Sequence, residues 1–313
     1  MIVSVSRRTD IPAFYADWFI NRVRAGFCLV PNPFNPKQVS RVGLEPEAVD
    51  MFVFWSKHPA PLIPRLDELD RLGYRYYFLY TLNDYPGPLE PNLAPLDERI
   101  ALFQTLSARL GAERVVWRYD PIIVSNRTDY DYHRRAFGRL VRALEGHTRR
   151  VVTSTLQFYA KTRRRLEALE ARGFRFDPEA AGRPEMMALL ADLAGEARSR
   201  GLEMTTCAEA RDLSEIGLRR GSCIDGALAE RIWGLKLTAR KDPGQRPACR
   251  CIPSRDIGVT DSCLHDCPYC YATVSEAAAR KRFREHRPDQ PALGGPGVDP
   301  VPECRSGSGD LFP

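Results

Sequence analysis

Short apolar and β-branched runs alternate with longer amphipathic stretches from the second residue onward. The runs Ile2–Ser6, Met51–Trp55, Arg75–Tyr80, Arg114–Arg118, Arg150–Thr155 and Leu202–Thr206 read as strands. Between them, segments near 12–25, 60–72, 95–110, 129–144, 159–172 and 185–200 carry apolar residues at helical spacing. Five of these stretches end at Gly26, Gly73, Gly111, Gly173 and Gly201, as a left-handed C-cap before a returning strand requires. Residues 27–44, two apolar runs around Pro-Asn-Pro-Phe-Asn-Pro, read as an inserted hairpin or loop. From Arg287 the pattern stops: the last 27 residues hold six Pro and five Gly, so 287–313 reads as a disordered tail with Cys304 an unrelated thiol.

Strand–helix repetition of this kind implies a parallel sheet, and six or seven units favour a (β/α) barrel, open or closed, over residues 1–286. Ligands of such folds bind at the C-terminal strand ends. Those ends read Ser6-Arg7-Arg8-Thr9-Asp10, Ser56-Lys57-His58, Thr81-Leu82-Asn83-Asp84, Arg118-Tyr119-Asp120-Pro121 and Ser154-Thr155-Leu156-Gln157, which predicts one polar mouth. Strand ends are generally more polar than strand centres, so the ensemble carries more weight than any single residue. Lys57, Arg118, Asp120 and Gln157 are the candidates for contact with a substrate. His58 is a further acid–base candidate.

The 313 residues are 43% hydrophobic and 27% charged, the balance of a globular chain with a full-sized core. No apolar run approaches the roughly 18 residues of a membrane span. The N-terminal apolar stretch precedes two arginines, the wrong order for a secretory signal, and the expectation is a cytoplasmic protein without membrane contact. The net charge of +6 is concentrated: residues 127–165 hold eleven Arg or Lys against Asp129, Asp131 and Glu145. A solvated helix face explains this more simply than an anion-binding footprint, because Arg outnumbers Lys throughout the chain.

Of nine cysteines, seven lie between positions 207 and 270. A reducing compartment disfavours disulfides, so the concentration points to metal. Cys263, Cys267 and Cys270 form Cys-x3-Cys-x2-Cys, which matches neither the paired spacing of a closed zinc site nor a ferredoxin run, whose upstream cysteine is here Thr260. Three thiolates on one short loop suit a cubane that leaves one iron open. Cys207, Cys223, Cys249 and Cys251 are the candidates for a second site, an auxiliary [4Fe–4S] cluster slightly ahead of one structural zinc, with unliganded buried thiols as the plain alternative. No Walker loop, dinucleotide fingerprint or serine-hydrolase elbow is present, and Gly-Gly-Pro-Gly at 294–297 follows no strand.

The motif Cys263-Leu-His-Asp-Cys267-Pro-Tyr-Cys270, entered from Asp256-Ile-Gly-Val-Thr-Asp261, resembles the cluster motif of the radical S-adenosylmethionine superfamily. Over about residues 1–280, through SRRTDIPAFY, VFWSKHP, RVVWRYDPI and CRCIPSRDIG, the chain also resembles an uncharacterised bacterial family with such cysteines near its C-terminus. The resemblance implies a [4Fe–4S] cluster on Cys263, Cys267 and Cys270, with S-adenosylmethionine on the open iron and Tyr269 near its adenine. It implies an electron donor such as flavodoxin or ferredoxin, and a radical that abstracts hydrogen from a small-molecule, peptide or nucleic-acid substrate. His265, within the loop, either tunes the cluster or is exposed, and exposure is the simpler expectation.

Two departures from the superfamily pattern stand out. The motif comes last rather than after the first strand, which a circular permutation explains if strand 256–260, the cysteine loop and helix 273–286 form the first unit and Ile2–Ser6 the next strand. The usual Gly-Gly-Glu is replaced by Ser6-Arg7-Arg8-Thr9-Asp10, where Asp10 can take the amino group and Arg7 or Arg8 the carboxylate. The competing class is a non-catalytic zinc or iron–sulfur protein that binds nucleic acid through its basic face.

Overall fold

The computed structural model describes residues 1–294 apart from 34, 36 and 239. In chain order the first half runs β1 (Ile2–Val5), α1 (Ile11–Phe14), α2 (Ala16–Ala25), β2 (Phe27–Pro31), β3 (Val39–Gly43), β4 (Met51–Ser56), α3 (Leu66–Arg71), β5 (Tyr76–Thr81) and α4 (Leu96–Leu110). The second half runs β6 (Val115–Ile122), α5 (Tyr130–Ala143), β7 (Arg150–Thr155), α6 (Ala160–Glu170), α7 (Pro184–Ser199), β8 (Glu203–Cys207), β9 (Arg219–Gly221), α8 (Gly226–Trp233), β10 (Arg255–Asp256) and α9 (Glu276–Glu285). The fold is α/β. Eight strands form one parallel sheet in the order β10-β1-β4-β5-β6-β7-β8-β9, and β2 and β3 form a separate antiparallel hairpin. The expected hairpin and six expected strands are thus present, whereas β9 lacks an apolar pattern and was not anticipated.

Strand alternation separates the two faces. Val3, Val5, Phe52, Phe54, Tyr76, Phe78, Val115, Trp117 and Val151 point to one face and join residues of α2, α3, α4, α5 and α7 in the larger core. Ile2, Met51, Val53, Tyr77, Leu79, Val116 and Val152 point to the other, where α8 and the segment Cys249–Ile252 cover them. On this second face each strand is apolar at its N-terminal end and polar at its C-terminal end, Val116 giving way to Arg118 and Asp120, for example. The polar mouth follows from that gradient.

Residues 255–256 pair in parallel with β1, Val3 opposite Arg255 and Ser4 opposite Asp256. This strand is shorter than the expected 256–260, because Asp256 bends the chain inward: its carboxylate accepts from Ser4 Oγ (2.9 Å), Ser6 Oγ (2.7 Å) and the backbone amides of Arg7 (2.7 Å) and Gly258 (3.0 Å). A Cβ on Gly258 would stand 1.9 Å from Ser6 Oγ, so only glycine allows this approach.

The described part of the expected tail, up to residue 294, packs on the fold. Trp18 Nε1 donates to the Gln290 carbonyl (2.9 Å), Leu29 N to that of Pro291 (2.8 Å), and Leu293 is buried in the main core. Aromatic and apolar anchors override the Pro-rich composition there. Cys304 and most of the 294–297 run lie outside the described residues.

Candidate functional site

At the C-terminal end of the sheet a cavity of about 720 Å³ opens between the strand ends, the Cys263–Cys270 loop and the cysteines at 207, 223, 249 and 251. A volume of this size suits a cofactor or small ligand. Seven cysteines and all eight polar candidates, Arg7, Arg8, Asp10, Lys57, Arg118, Asp120, Gln157 and Tyr269, line it. His58 does not line the cavity.

The β6 end supplies its charged wall. Arg118 pairs with Asp120, which also accepts from Ser154, and the Arg118 guanidinium lies 4.8 Å from the centre of the Trp55 ring. Arg7 stacks on the same ring at 5.2 Å. Both are half-buried, and Arg7 Nη2 and Arg118 Nε have no hydrogen-bond partner among the described residues. Burial opposes the Arg118 charge, but Asp120 and nearby thiols hold its pKa above the usual value. Gln157 stands at the rim, where it accepts from Arg246 (2.6 Å) and Tyr159 (2.8 Å).

The cysteine loop is anchored from three sides. Arg165 on α6 donates to the carbonyls of Asp266 (2.9 Å), Cys267 (3.1 Å) and Thr273 (2.8 Å) and pairs with the Asp266 carboxylate. Asp266 has φ +56°, a left-handed conformation that Asp tolerates better than most residues. His265, expected to be exposed, is buried: its Nε2 lies 2.8 Å from Asp10 Oδ2, and its Nδ1 is unpartnered. The third anchor is Tyr269, whose hydroxyl donates to Glu90 Oε1 (2.6 Å).

Asp10 and Glu90 carry this arrangement. Asp10 caps α1 through Ala13 N (3.0 Å) and also accepts from Ser56 Oγ (2.7 Å), Lys57 N (2.7 Å) and His265. Burial alone would raise its pKa, but the bonds from His265, Lys57 and Ser56 hold the carboxyl below its usual range. Its acceptor positions are filled, which leaves none for the amino group expected there. Glu90 bridges Lys57 Nζ (2.6 Å) and Arg99 Nη1 (3.3 Å), all three within the protein interior. Burial again opposes ionisation, and Lys57 and Arg99 more than offset it, keeping Glu90 charged. Lys57 correspondingly stays protonated against burial. Glu90 sits in a Pro- and Gly-rich loop with no periodic signal, and Arg165 sits in a basic run, so sequence reasoning singled out neither.

Burial pushes the Cys263 thiol up and Cys267 to about 12, which keeps both protonated until a cation replaces the proton. Across the cavity, Cys207 Sγ and Cys223 Sγ are 3.6 Å apart, and Cys249 and Cys251 line the same wall. Among the described residues no three Cys, His, Asp or Glu side chains already surround one point as ligands of a single ion. A cubane needs a different arrangement, because its thiolates bind different irons and stand well apart.

Four of the eleven basic residues of the run are spent internally. Arg134 pairs with Asp131 and Asp192, Arg139 with Asp84 and Asp97, Arg150 with Glu203 and Asp225, and Arg165 holds the loop. No helix among the described residues is long and apolar enough to cross a membrane.

Residues 2–272 match a family model described as Domain of unknown function (DUF1848), and the chain belongs to that family. No curated protein and no solved structure matches the chain.

Proposed function

We propose that this member of the DUF1848 family is a radical S-adenosylmethionine enzyme built on a permuted (β/α) barrel. The observation that carries the reading is that Cys263, Cys267 and Cys270, consecutive on one loop, line the same cavity as the polar ends of β1, β4, β6 and β7. Sequential parallel strand order, helices α2–α5 and α7 against one face only, and β10 beside β1 support the barrel and its permutation.

Cys263, Cys267 and Cys270 would hold the [4Fe–4S] cluster. When bound and reduced, by a donor such as flavodoxin or ferredoxin, it supplies the electron that splits a carbon–sulfur bond of S-adenosylmethionine. The chain's own residues bind and orient. Tyr269, fixed by Glu90, and Lys57 form the wall beside the loop. Asp10 orients His265 within the loop and is a positioning group rather than a ligand of the amino group. Arg8 donates to the Gly258 carbonyl (3.3 Å), so Arg7, with its free Nη2, is the better partner for a carboxylate. Arg118 and Asp120 face the remaining space, where a substrate would lie, and the buried walls limit access of water.

Anaerobic reconstitution with iron and sulfide, followed by S-adenosylmethionine and dithionite, tests the reading. About four irons per chain on the loop and release of 5′-deoxyadenosine or another cleavage product are expected. Bound iron without cleavage or binding of S-adenosylmethionine would sink the enzymatic reading.

A further inference from the structure

The second group of cysteines comes from three separate segments: the end of β8 (Cys207), the turn after β9 (Cys223) and the stretch before β10 (Cys249 and Cys251). Cys207 Sγ and Cys223 Sγ are 3.6 Å apart, and Cys249 and Cys251 line the same cavity and belong to the same buried cluster as Cys223. The geometry points to a single tetrahedral metal ion, zinc, held by these four thiolates, independently of any cluster on the 263–270 loop.

Distance decides between an ion and a cluster. A tetrahedral zinc with sulfur at about 2.3 Å holds neighbouring ligands about 3.8 Å apart. The Cys207–Cys223 separation of 3.6 Å fits that spacing, whereas a cubane keeps its cysteine sulfurs out of mutual contact. The four thiols do not form a closed tetrahedron, and each has a single χ1 torsion through which to close around an ion.

Two further observations point to thiolates rather than buried thiols. The backbone N–H of Ile224 donates to Cys251 Sγ at 3.3 Å, as amides do toward metal-bound sulfur. Zinc binding releases the four thiol protons to solvent and leaves a site of net charge about −2. Arg7 and Arg118, half-buried in the same cavity as these thiols with Arg7 Nη2 and Arg118 Nε unpartnered, supply the matching positive charge.

The site has a structural use. β9 and β10 end the sheet on opposite sides and do not pair with each other among the described residues. An ion on these cysteines ties the ends of β8 and β9 to the segment that leads into β10. It staples the open seam where hydrogen bonding between strands is missing.

The test is metal analysis of the full chain purified from medium containing both zinc and iron. About one zinc per chain is expected in the wild type and in the Cys263→Ala/Cys267→Ala/Cys270→Ala variant, and a tenfold loss in Cys249→Ala/Cys251→Ala. To guard against misfolding of the latter, cobalt is added to the metal-stripped triple variant, in which the four cysteines are intact. The intense visible bands of tetrahedral tetrathiolate cobalt are expected, and their absence overturns the proposal. So does zinc that follows the 263–270 loop, or a wild type holding about eight irons that falls to about four in Cys249→Ala/Cys251→Ala.

Discussion

The two cysteine groups face one cavity but are built in opposite ways. Cys263, Cys267 and Cys270 are neighbours in sequence, and their loop is positioned by side chains from four distant elements: Arg165, Asp10, Glu90 and, through Tyr15 to the Ser262 carbonyl (2.7 Å), α1's end. Cys207, Cys223, Cys249 and Cys251 come from three separate segments, with Cys207 and Cys223 3.6 Å apart. A loop held in place by outside anchors suits a large inorganic group with one free corner. Thiols gathered from three segments suit a small ion that joins them.

The sharpest way to break this contrast is to remove one group and watch the other. Cys263→Ala/Cys267→Ala/Cys270→Ala is expected to abolish reconstituted iron and S-adenosylmethionine cleavage, a loss of more than about 100-fold in product, as measured by iron assay and chromatography. Next in size is Glu90→Ala, which leaves Lys57 buried without its partner and unties Tyr269. It is expected to lower stability by about 3–5 kcal/mol in denaturant titration and to weaken iron retention more than zinc retention.

A change of pH loosens the scaffold under both groups. His133 is buried, with Nε2 donating to the Ile123 carbonyl (2.9 Å) and Nδ1 accepting from Tyr119 OH (2.7 Å), and burial lowers its pKa to about 4. Because the unfolded ring takes up its proton near pH 6.5 and the folded one only near 4, stability is present above 6.5. It is lost as pH falls through that window, by about 3 kcal/mol in all. Denaturant titrations at several pH values check this, and His133→Gln should flatten the dependence.

The smallest effect expected is that of Arg165→Lys. An ammonium cannot span the carbonyls of Asp266, Cys267 and Thr273, so the loop should lose about 1–2 kcal/mol of anchoring. Iron should leave the reconstituted protein several-fold faster, with zinc unaffected, as chelator challenge would show.

Much of this was legible in the chain itself. The continuous apolar runs of β4 and β5 and the Gly26 cap of α2 give the parallel α/β core, because burial on both faces and a left-handed turn leave direct marks on sequence. The seven clustered cysteines mark the cavity wall equally well. Three features left no mark. Glu90 gains its role only when a loop folds over Lys57. Arg165 is one arginine in a run of them until α6 turns it toward the loop. His265 is buried because Asp10, 255 positions away, reaches its ring. Each is a long-range polar contact, which no local period encodes.

The central claim, an open-cornered cluster on the 263–270 loop that binds S-adenosylmethionine, is tested most directly by electron paramagnetic resonance of the anaerobically reduced protein. The account predicts a reduced-cluster signal in the wild type that changes shape when S-adenosylmethionine is added and is absent from the Cys263→Ala/Cys267→Ala/Cys270→Ala variant. A signal indifferent to S-adenosylmethionine, or one that survives in the variant, would contradict it.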